Sequence, residues 1–369
     1  MDQVRFAVIG AGSMGRVHLR NIADLENARA VAVCDISGEL GKKTAAEFDC
    51  EYFSDYNKLF TRNICDAVLI ATPHYQHTTI GIAALQAGCH VLVEKPISVH
   101  KADCQRLIAA HQNKKQVFAA MFNQRTDPRY QKIKQLIDDG ELGELTRVNW
   151  IITDWFRTDA YYASGSWRAT WAGEGGGVLL NQCPHQIDLL QWLCGMPKNV
   201  RGFCGLGKRH NIEVEDEVTA YLEFPSGATG VFIASTGEAP GTNRLEICGD
   251  RGKVLVEDDK ILFTRNEVPA SRFQKTTSDA MAKPDVWNIE IPAQANAWGP
   301  QHAEILQNFV NAIIAGEPLI APAEEGIHSV ELANAILYSS LVEKVIELPL
   351  DAAEYESKLK QLIENSSPD

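Results

Sequence analysis

The chain has 369 residues, 45% of them hydrophobic and 22% charged, with a formal net charge of -13. That length suffices for two domains with sizeable cores. So acidic a chain excludes a nucleic-acid-wrapping role and lacks the basic patch of a membrane-surface protein, which leaves small molecules and further copies of itself as partners.

Nine cysteines are scattered along the chain, with no C-x-x-C spacing. The odd number and the apolar surroundings of several predict free thiols in a reducing compartment, with no disulfide framework and no metal site. The first apolar run is too short for a signal peptide, and no stretch approaches the ~18 residues of a membrane helix. A cytoplasmic location follows as an expectation.

Val4 to Ile9 predicts a strand, Gly10-Ala11-Gly12-Ser13-Met14-Gly15 follows at once, and a helical pattern runs on to about Leu25. A G-x-G-x-x-G between strand and helix is a dinucleotide fingerprint in its proper context. Gly10 makes the tight turn, Gly12 lets the backbone approach a pyrophosphate, and Gly15 lets the helix pack on the strand. The helix N-terminus at Ser13 and Met14 faces the phosphates. A second strand, Ala30 to Cys34, ends at Asp35, twenty residues beyond Gly15. An acid there accepts hydrogen bonds from ribose hydroxyls and repels a 2′-phosphate. No arginine follows in Ile36-Ser37, so NAD is favoured over NADP; Lys42 and Lys43 are the cations that would reach such a phosphate. The structural alternative for Asp35 is a helix cap.

Asp66 to Ala71 predicts a buried strand ending at Thr72-Pro73. A helix carries His77 to Ala87, and Gly88 stops it. Val91-Leu92-Val93 then reads as a strand buried on both faces, halted by Glu94-Lys95-Pro96. Lys95 therefore stands at the carboxyl end of a sheet strand, the edge where open α/β sheets bind ligands. The alternative is a surface lysine paired with a glutamate. A helix from Lys101 to His111 and a strand from Gln116 to Met121 complete a doubly wound parallel sheet of six strands. Residues 1–122 form this Rossmann domain and residues 123–369 a second α/β domain. Phe122 to Arg125 lie at the junction, and Arg125 is a substrate-binding candidate.

The second domain opens with a polar and aromatic stretch. Arg157, Tyr161, Tyr162, Trp167 and Arg168 are suited to a sugar, which has apolar faces and hydroxyl edges; the alternative is a loop that packs on a neighbouring subunit. Gly175-Gly176-Gly177 signals close backbone approach, to cofactor or to another strand. Asn181, His185 and Asp188 follow at i, i+4, i+7, the spacing of one helical face. Pro184 either kinks that helix or begins it. The alternative for His185 is a satisfied core histidine. Asp188 reads as structural, bonding backbone or orienting His185.

Strands are expected at 199–206, 218–224, 230–235, 244–248, 252–257 and 261–264, giving a large, mainly antiparallel sheet with one open face. Residues 266–298 read as irregular, a lid or an interface arm. Helices from about Gln301 to Ala315 and Glu324 to Val345 close the fold, and the tail at 366–368 is expected to fray.

Four segments together resemble the Gfo/Idh/MocA oxidoreductase family: Gly10 to Gly15, Ala71-Thr72-Pro73 with His77, Glu94-Lys95-Pro96, and Gly175 to Asp188. The resemblance spans nearly the whole chain. It implies bound nicotinamide, with Thr72, Pro73, His77 and Glu94 beside the cofactor and Lys95 and His185 at the reacting carbon. It also implies a second subunit covering the open sheet, hence a dimer, tetramer or hexamer. Many members carry aspartate where this chain has Asn181. Asparagine can position a hydroxyl or orient His185, but it is no base.

The expected activity is NAD-dependent oxidation or reduction of a secondary alcohol or ketone of a sugar, a glycoside (C3 included) or a cyclitol such as inositol. His185 is the expected general base. Lys95 hydrogen-bonds the same oxygen and stabilises alkoxide charge, and Glu94 orients Lys95. Two other readings remain open: glycoside cleavage through a transient NAD redox cycle, and a nicotinamide sensor without turnover.

Overall fold

The computed structural model describes residues 2–292 and 300–366. In the first part of the chain strands and helices alternate: β1 (Val4–Ile9), α1 (Ser13–Ala23), β2 (Ala28–Cys34), α2 (Gly38–Glu47), β3 (Glu51–Phe53), α3 (Tyr56–Thr61), β4 (Ala67–Ile70), α4 (His74–Gln86), β5 (His90–Val93), α5 (Lys101–Ala110) and β6 (Phe118–Ala120). The six strands form one sheet in the order β3-β2-β1-β4-β5-β6, and every pairing is parallel. Helices cover both faces, so the central strands are apolar throughout; Val91, Leu92 and Val93 are fully buried. Strand order reverses beside β1, and the β1 and β4 carboxyl ends open a crevice there. The turn after β1 is tight because Gly10 has a φ of +99° and sits against the Ala71 carbonyl. A Cβ on Gly15 would lie 1.8 Å from the Gly10 carbonyl oxygen, so only glycine lets α1 pack this close.

The second part runs α6 (Pro128–Asp138), β7 (Leu145–Ile152), α7 (Asp159–Tyr162), α8 (Pro184–Cys194), β8 (Asn199–Leu206), β9 (Glu215–Glu223), β10 (Thr229–Ser235), β11 (Asn243–Gly249), β12 (Gly252–Glu257), β13 (Lys260–Asn266), α9 (Ala270–Thr276), β14 (Val286–Ile291), α10 (Pro300–Ala315), α11 (Gly326–Val342), β15 (Ile346–Glu347) and α12 (Ala352–Glu364). Nine strands pair in the order β14-β13-β12-β11-β7-β10-β9-β8-β15. The β7–β10 pair is parallel and the rest are antiparallel. One face packs on α8 and α11, burying Trp150, Phe232, Leu222 and Ile247 against Ile187 and Ile336. The other face is uncovered, and Phe203, Tyr221 and Leu262 stand out on it, 56%, 43% and 38% exposed.

Three expectations change. The centre of the second sheet is β7, which the sequence reading passed over. The segment expected to be irregular contains α9 and the edge strand β14; its residues 293–298, like tail residues 367 and 368, lie outside the described residues. The two cores also do not divide at residue 122. Helix α10 returns to the first sheet, where Phe309 packs on Phe6 at 6.0 Å between ring centroids and Ile305, Leu306 and Val310 join the same core. No helix among the described residues is long and apolar enough to cross a membrane.

Candidate active site at the sheet edge

The crevice begins at the β1–α1 turn. Helix α1 has no side-chain cap at Gly12, so its first N–H groups face outward. Asp35, at the end of β2, accepts the Ala11 N–H on Oδ2 and the Ser37 N–H on Oδ1, each at 2.7 Å. These bonds hold the carboxylate across the turn, and each oxygen keeps a lone pair. Thr72, just beyond β4, has a buried Oγ1 without a partner among the described residues. His77 sits one turn into α4, and its two ring nitrogens lie 2.8 Å from the Pro96 and Thr72 carbonyl oxygens. Burial pushes its pKa down, and the two carbonyls pull the other way. A neutral ring donates to one of these carbonyls and faces the other, so His77 sits between the loops after β4 and β5.

Glu94 and Lys95 leave the end of β5. The Glu94 carboxylate turns inward, 2.7 Å from His18 Nε2 on α1, and takes the Lys95 N–H at 3.1 Å. Burial pushes Glu94 up, but His18, helped by His302 and Lys95, prevails and holds it at about 2. Glu94 therefore orients Lys95 through its backbone, and no bond joins their side chains among the described residues. Lys95 Nζ crosses to the second domain and donates to the Asn181 carbonyl at 2.9 Å. Burial lowers the Lys95 pKa against the charges of Glu94 and Glu174.

On that side a five-residue π-turn, Val178–Gln182, precedes α8. Gly177 enters it with its Cβ position 2.0 Å from the Glu215 carbonyl oxygen of β9, so the glycine run lies against a strand. Glu215 Oε1 accepts the N–H groups of Gly177 and Leu179, at 2.8 and 3.1 Å. Pro184 begins α8 at its first position, where the missing N–H costs nothing. Asn181 thus lies on the π-turn, one element before His185. His185 occupies the first turn of α8, buried, its ring edge-on to Phe122 at 6.4 Å. Its Nδ1 has no partner among the described residues. Burial, aided by the nearby Lys95 charge, pushes its pKa well below the usual histidine range, so the ring is neutral at pH 7.

The aromatic stretch closes over this floor. Tyr161 Oη accepts from Arg168 at 2.8 Å and from Gln182 at 3.2 Å. The guanidiniums of Arg157 and Arg168 stack on the Tyr161 ring at 4.9 and 4.6 Å. Trp167 meets His74 of α4 edge-on at 5.7 Å, joining the stretch to the first domain. Two candidates fall away. Tyr162 turns inward, bonding Thr236 at 2.8 Å and stacking on His210 at 4.8 Å. Arg125 is 1% exposed and forks onto Asp188 at 2.7 and 2.8 Å, so it is sealed from any substrate. Asp188 is structural through Arg125, and no bond to His185 is present among the described residues.

Sequence reasoning missed Glu174, His74 and His302. Glu174 immediately precedes the glycine run, a signal that was available. His74 lies inside the Thr72-Pro73 to His77 segment without being one of its marked positions, and His302 lies in an ordinary helical start that carries no motif.

The crevice fits a dinucleotide. A Cβ on Gly12 would meet nothing within 4 Å, leaving the backbone open at the helix N-terminus. Asp35 stands at the ribose position of that fingerprint, and the orphaned Thr72 hydroxyl and His185 nitrogen offer polar groups at the strand ends.

Residues 4–122 match the family model described as an oxidoreductase family with an NAD-binding Rossmann fold, and residues 130–255 match the GFO/IDH/MocA C-terminal domain. The chain is 25% identical to inositol 2-dehydrogenase of Rhizobium meliloti, over 94% of this chain and 99% of that protein. It is also 25% identical to levoglucosan dehydrogenase of Pseudarthrobacter phenanthrenivorans, over 95% and 99%. The crystal structure of the WlbA dehydrogenase from Bordetella pertussis with NADH and UDP-GlcNAcA superposes with a TM-score of 0.79 at 26% identity, covering 95% of this chain and all (100%) of that one. Fold, crevice and matched models agree: the chain belongs to the Gfo/Idh/MocA family of NAD-binding oxidoreductases.

Proposed function

We propose that this chain is an NAD-dependent dehydrogenase for a secondary alcohol of a sugar, glycoside or cyclitol. The observation that carries the reading is the pairing of Lys95 Nζ, held by one carbonyl, with His185 Nδ1, which has no partner among the described residues, at the carboxyl edge of the parallel sheet. Nicotinamide, when bound, supplies the hydride acceptor. Lys95 donates a hydrogen bond to the substrate oxygen and stabilises the negative charge that develops there. His185, neutral at pH 7, takes the hydroxyl proton on a ring nitrogen. Arg157, Arg168 and Trp167 hold the sugar, with Tyr161 as the ring on which both arginines stack. The relatives named for inositol and levoglucosan support an uncharged polyol or anhydrosugar as substrate.

The first test is absorbance at 340 nm with NAD and a panel of inositols, anhydrosugars, monosaccharides and glycosides. A rise with one group is expected. Silence across the panel with NAD bound would sink the dehydrogenase reading.

Asp35 sets the cofactor preference on this reading. Asp35→Asn keeps a hydrogen-bond acceptor and removes the charge that repels a 2′-phosphate. The ratio of NADPH to NADH affinity rises about ten-fold, in line with one charged hydrogen bond. Fluorescence titration of both cofactors measures it, and an unchanged ratio refutes the assignment.

Residues 1–122 with α10 serve the cofactor, and the remainder serves substrate binding and association. Exposed Phe203, Tyr221 and Leu262 on the open sheet face support a homo-oligomer, to be read from light scattering. The free cysteines support a reducing, cytoplasmic location.

A further inference from the structure

No carboxylate lies within ion-pair distance of the Lys95 ammonium among the described residues, although the group is enclosed. Glu94 spends its carboxylate on His18 and on the Lys95 backbone. The one bond to Nζ comes from the neutral Asn181 carbonyl. The Asn181 side chain donates Nδ2–H to Glu174 Oε1. Glu174 is 1% exposed, takes the Ala169 N–H on Oε2 at 3.0 Å, and lies 3.8 Å from Arg168 Nη1. Its backbone carbonyl faces His74 Nδ1 at 3.4 Å. A carboxylate this deep needs more than one partial ion pair to justify its burial as scaffold.

We propose that Glu174 is a positioning residue of the active site: through Asn181 it fixes the carbonyl that holds Lys95, and its carboxylate adds a second negative charge, beside that of Glu94, in support of the Lys95 ammonium. This rests on the reading of Lys95 given above. Asn181 is the neutral link: its main-chain carbonyl accepts from Lys95, and its side-chain amide donates to Glu174, which fixes the residue that carries that carbonyl.

The arrangement is poised to respond to pH. Burial pushes Glu174 up to about 7; the Ala169 N–H, Arg168 and Asn181 oppose this, and Glu215 adds to it. Tyr162, on α7, also lies within range of the Glu174 charge. Around Lys95, the charges of Glu94 and Glu174 favour the ammonium and Arg168 disfavours it, while burial keeps the neighbouring Cys183 thiol protonated. His74, His77, His185 and His302 all feel the Lys95 charge. Glu174 ionises as pH rises through neutrality, so its share of the support for the ammonium is complete above that range and lost below it, while that of Glu94 stays.

The test uses the full chain with NAD bound. Glu174→Gln keeps the size and removes the charge. In its oxidation assay kcat falls between about 10- and 100-fold at pH 8 while KM changes little, and the rise of kcat through pH 7 disappears. Independently of turnover, competitive labelling with acetic anhydride, read by mass spectrometry of the Lys95 peptide, shifts the Lys95 titration to lower pH. The double variant Glu174→Gln, Asn181→Asp reverses the hydrogen bond and returns a carboxylate next to Lys95. It restores most of kcat and the Lys95 titration, which a scaffold role for Glu174 would not do. An unshifted Lys95 titration in folded Glu174→Gln overturns the proposal. A shifted titration in a protein that oxidises nothing in the panel upholds it and refutes the dehydrogenase reading alone.

Discussion

Lys95→Met lowers kcat by about 10³-fold and leaves NAD affinity within a few-fold of the parent. Methionine keeps the length and apolar stem of lysine and removes the ammonium. The Lys95 backbone N–H still bonds Glu94, and Glu94 still bonds His18, so the end of β5 keeps its shape. What is lost is the donor aimed at the substrate oxygen and the bond to the Asn181 carbonyl. The ammonium acts in an enclosed setting, where one fixed donor is worth far more than in water. Because the interaction strengthens as charge develops on that oxygen, the loss falls on kcat and much less on KM. Steady-state kinetics on the substrate found at 340 nm, with NADH binding followed by fluorescence, tests both halves. A variant within about five-fold of parental kcat would remove Lys95 from the chemistry.

Asp188→Ala destabilises the fold by about 3–5 kcal/mol and leaves the chemistry of the folded enzyme intact. Arg125 is buried under Phe122 and Trp192, with its guanidinium 5.6 and 5.7 Å from their ring centroids. Asp188 supplies two of its bonds, and the remaining acid, Glu325, has a side chain 44% exposed. Removing Asp188 leaves a buried charge with one solvent-screened acid and the Ile320 carbonyl as its partners. The double variant Arg125→Met, Asp188→Leu removes both charges and costs far less than the single one, because the main penalty is the orphaned ion. Urea unfolding of the two variants gives the comparison, and Tm of the single variant falls by roughly 10 °C. If Asp188 instead oriented His185, kcat measured well below Tm would collapse in both variants; here it stays within about two-fold of the parent.

The cofactor half could be read from residues alone. Its strands are short apolar runs, its turn is a glycine motif, and proline stops the strand that carries Lys95. Each signal lies within a few residues of what it specifies, so local sterics suffice. The second half reads less well for an equally physical reason. β7 alternates Val148, Trp150 and Ile152 with Arg147 and Asn149 because one of its faces is open, and its parallel partner β10 lies far along the chain. β14 is an exposed edge strand and so has no buried face to give it a pattern. Arg125 and Tyr162 have the composition of a sugar site, and composition does not say which way a side chain points.

Sequence alone therefore settles the Rossmann sheet, its dinucleotide turn, the acid at Asp35 and the placing of Lys95 at the strand ends, since all of these follow from short-range backbone geometry. Which polar groups gather around Lys95 is a different matter. Its bond to Asn181 spans 86 residues, and that between His18 and Glu94 spans 76. The first arises when two separately built sheets close on one crevice, and the second when a helix on the first sheet packs back on a distant strand end. Burial in the crevice turns Glu174 into a group that ionises near neutrality, while the His18 bond holds Glu94 as a fixed anion against its own burial.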